Sequence, residues 1–308
     1  MRVAALAFAA TMIAGACASE DDGDSSDDES SSGSDGGGVV ACQVTDTGGV
    51  DDRSFNQTAN DGLVRAEDEL DVEGKVLESQ SEADFEPNLD AFVDQGCDLI
   101  IPVGFLLGDA TQASAEENTD QKYAIVDYDL FDFDAEEDVA LDNVRELTFA
   151  TDEAAFLAGY LAAGSSETGK VGTFGGLNIP TVTIFMDGFL AGVNQYNTDN
   201  GTSVELLGWD GSDGLFTGDF EDQDKGKQTT KSLIDEGADI VMPVAGPVGL
   251  GSVEAANEAE GVKLIWVDTD GCTSVPDSCD LFLTSVQKKM DLAVYESIKS
   301  VVDDNFEA

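Results

Sequence analysis

Two aspartates stand at equivalent places in a sequence that repeats itself. VDYD at 126–129 and VDTD at 267–270 are separated by an offset that also relates DQGCDLIIPV at 94–103 to DEGADIVMPV at 235–244, and Gly108 to Gly249. Each copy puts an aspartate, Asp127 or Asp268, directly after a short apolar run. That is the carboxyl end of a candidate strand, where open α/β sheets bind ligands. The two would face one ligand from opposite walls. A third acidic stretch, DTGGVDDRSFN at 46–56, follows another such run and sets Asp46 beside Phe55 and Asn56 around a two-glycine turn. Carboxylates accept hydrogen bonds from vicinal hydroxyls and a phenyl face stacks on a flat ring, so this set suits a neutral polyhydroxylated ligand bearing an aromatic ring. The plainer account of 46–56 is a turn with helix caps, Asp52 or Ser54 capping and Phe55 in the core. Glycines also follow strands at 175–176 and 244–251, but neither GxGxxG nor Walker spacing occurs there, so no nucleotide-phosphate site is indicated.

Composition removes most rival chemistries. The chain has 308 residues, 42% of them hydrophobic, which is ample for a large buried core. It contains no histidine. Ser-His-Asp triads, Cys-His dyads and imidazole-bearing zinc sites are thereby excluded. Against 64 Asp and Glu stand only 14 Lys and Arg, for a net charge of −50, which repels nucleic acids and gives no reason to expect them as partners. The acidity is read as a salt-adapted surface rather than a site. Neither 268–271 nor 219–224 continues as an EF-hand loop, so no metal and no cofactor are expected. Asn56-Gln57-Thr58 and Asn200-Gly201-Thr202 fit the glycosylation sequon, and no site is drawn from them.

These residues need a scaffold of alternating strands and helices. Apolar runs at 39–45, 75–78, 98–103, 123–126, 170–174, 204–207, 239–244, 263–267 and 281–286 alternate with amphipathic stretches, notably 54–70, 85–95, 151–163, 181–196, 227–236 and 288–302. The pattern is that of βα units around parallel sheets, an α/β fold. Because a helix–strand–helix–strand segment recurs without gaps, two similar lobes with a cleft between them are expected rather than one long sheet.

The N-terminus reads as address and tether. A short basic start at Arg2, an apolar run at 4–14 and small residues before Cys17 make residues 1–17 a signal peptide too short to span a membrane. Ala14-Gly15-Ala16-Cys17 resembles the lipobox of bacterial lipoproteins, with Ala14 where Leu or Val is usual; an ordinary secretory cleavage site is the alternative. Residues 18–38 are an acidic Ser/Gly tether that extends by self-repulsion. In such an oxidising setting the remaining cysteines are read as disulfides, Cys42 with Cys97 and Cys272 with Cys279, out of three possible pairings or none.

The stretches at 46–56, TFATDEAAFLAGY at 148–160, IPTVTIFMDGF at 179–189, DIVMPVAGPVGLG at 239–251, VDTD at 267–270 and TSVQK at 284–288 together resemble the basic membrane protein (BMP) family of lipoproteins, the purine-nucleoside-binding components of ABC importers. The resemblance covers the chain from Val39 onward. It implies a type I periplasmic-binding-protein fold, two Rossmann-like lobes with parallel sheets, one built from 39–147 and 288–308 and the other from 148–287. It further implies that Phe55 stacks on the purine, that Asp46 and Asn56 contact the ligand, and that Asp127 hydrogen-bonds the base. Asp268 would hold the ribose hydroxyls, Gly246 would bring backbone close, and Lys288 would reach the ribose or bridge to Asp268. Phe220 is the choice for the second aromatic wall, with Trp209 and Phe216 as rivals. Family members generally continue beyond the last helix, whereas this sequence stops at Ala308. The expectation is therefore an exported lipoprotein on the outer face of the cell membrane, a monomer that binds a purine nucleoside, delivers it to an ABC permease and performs no chemistry. A sugar or autoinducer receptor of the same fold, a calcium-dependent nucleoside hydrolase, and an adhesin or sensor with a vestigial pocket are the alternatives.

Overall fold

The apolar runs of the sequence lie side by side as two parallel sheets. A computed structural model describes residues 38–132 and 137–308; the signal segment, Cys17 and the tether up to residue 37 lie outside the described residues. The first sheet contains β1 (Val40–Thr45), β2 (Glu73–Glu78), β3 (Leu99–Val103), β4 (Tyr123–Val126) and β7 (Val144–Leu147), in the order β2-β1-β3-β4-β7. A small antiparallel pair, β5 (Phe131–Asp132) and β6 (Glu137–Asp138), interrupts the path to β7. The second sheet contains β8 (Lys170–Gly175), β9 (Glu205–Leu207), β10 (Ile240–Val244), β11 (Lys263–Asp268) and β12 (Phe282–Gln287), in the order β12-β11-β10-β8-β9.

Helices cover both faces of each sheet, as fully buried parallel strands require. In the first lobe α1 (Phe55–Leu70) packs beside the last helix, α9 (Met290–Val302), over Ala41, Leu99, Ile101 and Val126. The opposite face carries α2 (Phe85–Asp94) and α3 (Gly108–Glu117), with Phe85, Leu89 and Phe92 against Val44, Ile100 and Ile125. In the second lobe α4 (Thr151–Ser165) and α5 (Pro180–Asn200) cover one face, and α6 (Gln223–Asp235) and α7 (Gly249–Asn257) the other. The short α8 (Gly271–Ser274) follows β11. The chain passes from β7 into α4 and returns from β12 into α9. Disulfides join Cys42 of β1 to Cys97 just before β3, and Cys272 to Cys279.

The repeat is structural as well as sequential. A 3₁₀ turn follows β3 at Phe105–Leu107 and another follows β10 at Gly246–Val248, after which α3 and α7 begin at the paired glycines Gly108 and Gly249. Three strands escaped sequence analysis. β7 is a four-residue VREL edge with two charges, and β5 and β6 are two residues each; such segments give no period to read.

Glycine decides how closely α4 and α5 approach. A Cβ on Gly192 would lie 2.0 Å from the Phe156 carbonyl, and one on Gly159 would lie 2.1 Å from the Phe189 carbonyl. Gly192→Ala should therefore destabilise the protein by about 1–3 kcal/mol through overpacking, despite the gain in helix propensity of about 1 kcal/mol. A lower denaturation midpoint at unchanged slope is the expected reading; an unchanged midpoint would mean that the helices separate freely.

Candidate functional site

The cleft between the lobes is lined by the residues at the carboxyl ends of β1, β3, β4, β10 and β11, together with the start of α5. The space between these residues, counted out into the open mouth, is about 570 Å³.

Asp46 follows β1 with its N–H donating to the Val103 carbonyl at 3.2 Å. Its carboxyl lies against Gly104, where a Cβ would sit 2.3 Å from Oδ2 and where φ is +114°, so only glycine fits. Beyond Asp46 the chain turns through Gly48 and Gly49, both at positive φ, and Glu78 of β2 pins the turn by accepting the Val50 N–H at 2.8 Å. Asp52 caps α1, its carboxylate accepting the N–H groups of Ser54, Asn56 and Gln57 at 2.8–3.0 Å. This capping places Phe55 and Asn56 at the cleft wall. Phe55 takes both parts weighed for it, lining the cleft while packing on the first lobe's core. Asn56 Nδ2 donates to Asp46 Oδ1 at 2.9 Å and to the Thr47 carbonyl at 3.3 Å, while its buried Oδ1 has no hydrogen-bond partner. That oxygen is an acceptor left for a ligand N–H.

Asp127, just after β4, and Asp268, the last residue of β11, share a left-handed conformation, φ +65° and +68°. Such backbone costs of order 1 kcal/mol for a residue with a Cβ and is concentrated at functional sites. Lys288, just after β12, is buried between them. Its ammonium donates to Asp127 Oδ2 at 2.5 Å and lies 4.7 Å from the ring centroid of Phe185 and 5.8 Å from that of Phe55. Only the backbone of Lys288 is bonded to Asp268, its N–H donating to the Asp268 carbonyl at 2.9 Å. The ammonium thus pairs with Asp127 rather than bridging to Asp268. Asp268 instead accepts the Ser54 hydroxyl at 3.1 Å.

Phe220 reaches the cleft from the loop before α6 and packs over Gly176, where a Cβ would lie 2.3 Å from its ring. Trp209 and Phe216 do not line the cleft. Trp209 donates its indole N–H to Asp187 at 2.8 Å and meets Phe216 edge-on at 6.0 Å, with the Phe216 ring against Gly175. Gly246, at φ +51°, brings backbone to the cleft beside Pro247. Sequence reasoning missed Phe105, Phe185 and Thr47, all of which line the cavity. The repeat offers a signal for Phe105, which stands where Gly246 stands in the second copy. Phe185 lies inside the 179–189 stretch.

Four carboxyls share this space with one ammonium. Burial pushes Asp46 up to about 8, with Asp52, Asp127 and Asp268 adding to the rise and the Asn56 hydrogen bond opposing it. Burial likewise lifts Asp268 to about 6, against the pull of Lys288 and the Ser54 hydroxyl. Asp127 is raised by burial despite Lys288. At pH 7 Asp46 is therefore predominantly neutral and can donate an O–H, while Asp268 is predominantly an acceptor.

The geometry defines a two-lobed receptor with parallel sheets and a cleft site at the strand ends. The family model described as "ABC transporter substrate-binding protein PnrA-like" matches residues 39–308. The chain belongs to that family, also called the basic membrane proteins. It is 33% identical over 268 residues to a CD4+ T-cell-stimulating antigen of Listeria monocytogenes, covering 82% of this chain and 70% of that one. It is 34% identical over 241 residues to the ABC transporter nucleoside-binding protein BmpA of Lactococcus lactis, covering 75% of this chain and 64% of that protein, less than two thirds of its length. Among solved structures, a solute-binding protein of an Aeropyrum pernix ABC transporter superimposes with a TM-score of 0.78 at 33% identity, covering 87% of this chain and 72% of that one. A D-allose-bound solute-binding protein from Actinobacillus succinogenes, at TM-score 0.67 and 13% identity over 87% of this chain and 91% of that one, shares the fold. The expected type I periplasmic-binding-protein fold and family are thus shown. Membership implies a captured solute and a membrane permease as partner.

The carboxyl shifts make a stability prediction. A carboxyl whose folded pKa lies above its unfolded value of about 3.9 binds a proton in the native state that the unfolded chain has released. Its contribution is full below about pH 4 and is lost as pH rises to about 8. Asp46→Asn, which cannot ionise, should melt with a shallower fall between pH 5 and 9 than the unmodified protein. Parallel melting curves would show that Asp46 is ionised throughout.

Proposed function

We propose that this protein captures a purine nucleoside outside the cytoplasm and delivers it to its ABC permease, as a lipid-anchored monomer that performs no covalent chemistry. The observation that carries the reading is the pairing of Phe55 and Phe220, one from each lobe, around a cleft with polar groups placed on two sides. A purine between the rings meets the free Asn56 Oδ1 and the Asp127 carboxylate. A ribose beyond it meets Asp268, with Gly246 supplying backbone and Lys288 setting the charge balance. Asp46, being mostly neutral, donates to a ring nitrogen or carbonyl of the base without adding a negative charge. Groups from both lobes on one ligand favour the closed state over the open one, which is the requirement for ligand-driven closure. The name of the Lactococcus relative, a nucleoside-binding protein, supports the same ligand class. The lobes of the reading comprise 39–147 with 288–308, and 148–287.

Titration calorimetry with inosine, guanosine, adenosine, cytidine and ribose, at low and high salt, should give tight purine-nucleoside binding without ribose binding. Phe55→Ala should weaken it by about tenfold to a hundredfold, the worth of one stacking wall, and Asp268→Ala by as much. Ribose binding alone would point to a sugar receptor, and unchanged affinity in both variants would refute the assigned roles.

Anchoring rests on Cys17, which follows small residues and precedes the acidic tether. Metabolic labelling with a radioactive fatty acid should mark the unmodified protein and not Cys17→Ser; label on both would place any lipid elsewhere.

A further inference from the structure

One side-chain hydrogen bond crosses the cleft between residues 214 apart in sequence, from Ser54 Oγ to Asp268 Oδ2 at 3.1 Å. Ser54 precedes α1 in the first lobe and Asp268 ends β11 in the second; both are buried. Neither end is free to follow the other. The Ser54 N–H donates to Asp52 Oδ1 at 2.9 Å, and its carbonyl accepts from the Thr58 N–H at 3.1 Å and the Thr58 hydroxyl at 2.5 Å. Asp268 is fixed by its left-handed backbone and by the Lys288 N–H on its carbonyl. The bond therefore joins two fixed loop ends, one from each lobe. Nearby, Gly48 of the first lobe and Pro247 of the second also meet, a Cβ on Gly48 falling 3.8 Å from the Pro247 ring.

Ser54 itself is not among the cavity-lining residues, whereas Asp268 is. A buried carboxylate needs donors, and the one ammonium in the cleft donates to Asp127. Ser54 supplies Asp268 with one donor and leaves Oδ1, and a second lone pair on Oδ2, for two further hydroxyls. We propose that Ser54 is a positioning residue that couples lobe closure to recognition of a vicinal diol: its hydroxyl engages Asp268 as the lobes meet and fixes the rotation of that carboxylate so that it receives both sugar hydroxyls. This rests on the reading of Asp268 as the sugar-binding carboxylate of a nucleoside site. Ser54 then discriminates among ligands by their sugar without touching them. The preferred class is nucleosides with both the 2′- and 3′-hydroxyl, over otherwise identical deoxy and dideoxy forms.

The test uses the full chain in detergent and two probes, inosine and 2′,3′-dideoxyinosine, with Ser54→Ala and Ser54→Thr compared with the unmodified protein by calorimetry and stopped-flow release. Ser54→Ala should weaken inosine about tenfold or more, the worth of a hydrogen bond to a charged group, chiefly through faster release. It should weaken dideoxyinosine at least about threefold less than inosine, because that probe loses only the bond between the lobes. Ser54→Thr, which keeps the hydroxyl, should restore inosine to within about threefold. Equal losses for the two probes, or an unchanged inosine affinity in Ser54→Ala, overturn the proposal; a loss in Ser54→Thr as large as that in Ser54→Ala assigns the effect to packing and overturns it too. If the unmodified protein binds neither probe, the nucleoside reading itself fails and the coupling falls with it.

Discussion

Three carboxyls converge at the ends of strands from two sheets, and a single buried ammonium stands among them. Burying charge is costly unless it is paired or hydrogen-bonded, and each acid here is accommodated differently. Asp127 has the Lys288 ammonium, Asp268 the Ser54 hydroxyl, and Asp46 the Asn56 amide together with a retained proton. Asp52, close by, is held by the N–H groups that begin α1. The wall of the cleft is a consequence of these bonds. Phe55 is where it is because Asp52 caps the helix that carries it, and Gly104 is needed because Asp46 lies on it.

The distribution of positive charge follows a similar logic. Among the described residues, the other lysines and arginines that form ion pairs do so with at least a quarter of the side chain exposed, as Lys227 and Lys231 do with Glu254 and Glu258. Such pairs contribute about 0–1 kcal/mol each and are weakened further by salt. The Lys288–Asp127 pair is buried at both ends. Salt screens it little, and loss of one partner would strand a charge in the cleft. A chain with so few basic residues has thus buried one of them at the cleft.

Duplication gives the cleft its approximate symmetry, and its departures from symmetry set the chemistry. In both copies a buried strand leads through a 3₁₀ turn into a helix opened by glycine, and the strand after that helix runs into a left-handed aspartate. Yet Phe105 in the first copy stands where Gly246 stands in the second, and Asp127 takes the ammonium while Asp268 takes a hydroxyl. The first lobe's wall carries the acids Asp46, Asp52 and Asp127, the last paired with the ammonium, whereas the second lobe's wall carries Asp268 among largely apolar neighbours.

Sequence by itself determined the repeating βα order, because apolar runs of strand length and the internal repeat are local properties that survive without coordinates. It also placed Asp46, Asp127 and Asp268 at strand ends, and Phe55 and Asn56 at a helix start, through turn and cap chemistry. Tertiary structure alone decided which charges meet. Nothing in the spacing of Lys288 distinguishes Asp127 from Asp268 as its partner, since that depends on how the chain crosses between lobes. Nor does local sequence separate Phe220, which lines the cleft, from Trp209 and Phe216, which pack behind it, because all three sit in one irregular loop with no period to orient them. Ser54 reads as an ordinary helix-start residue, and its bond to Asp268 exists only because two lobes, folded from distant parts of the chain, bring those loop ends together.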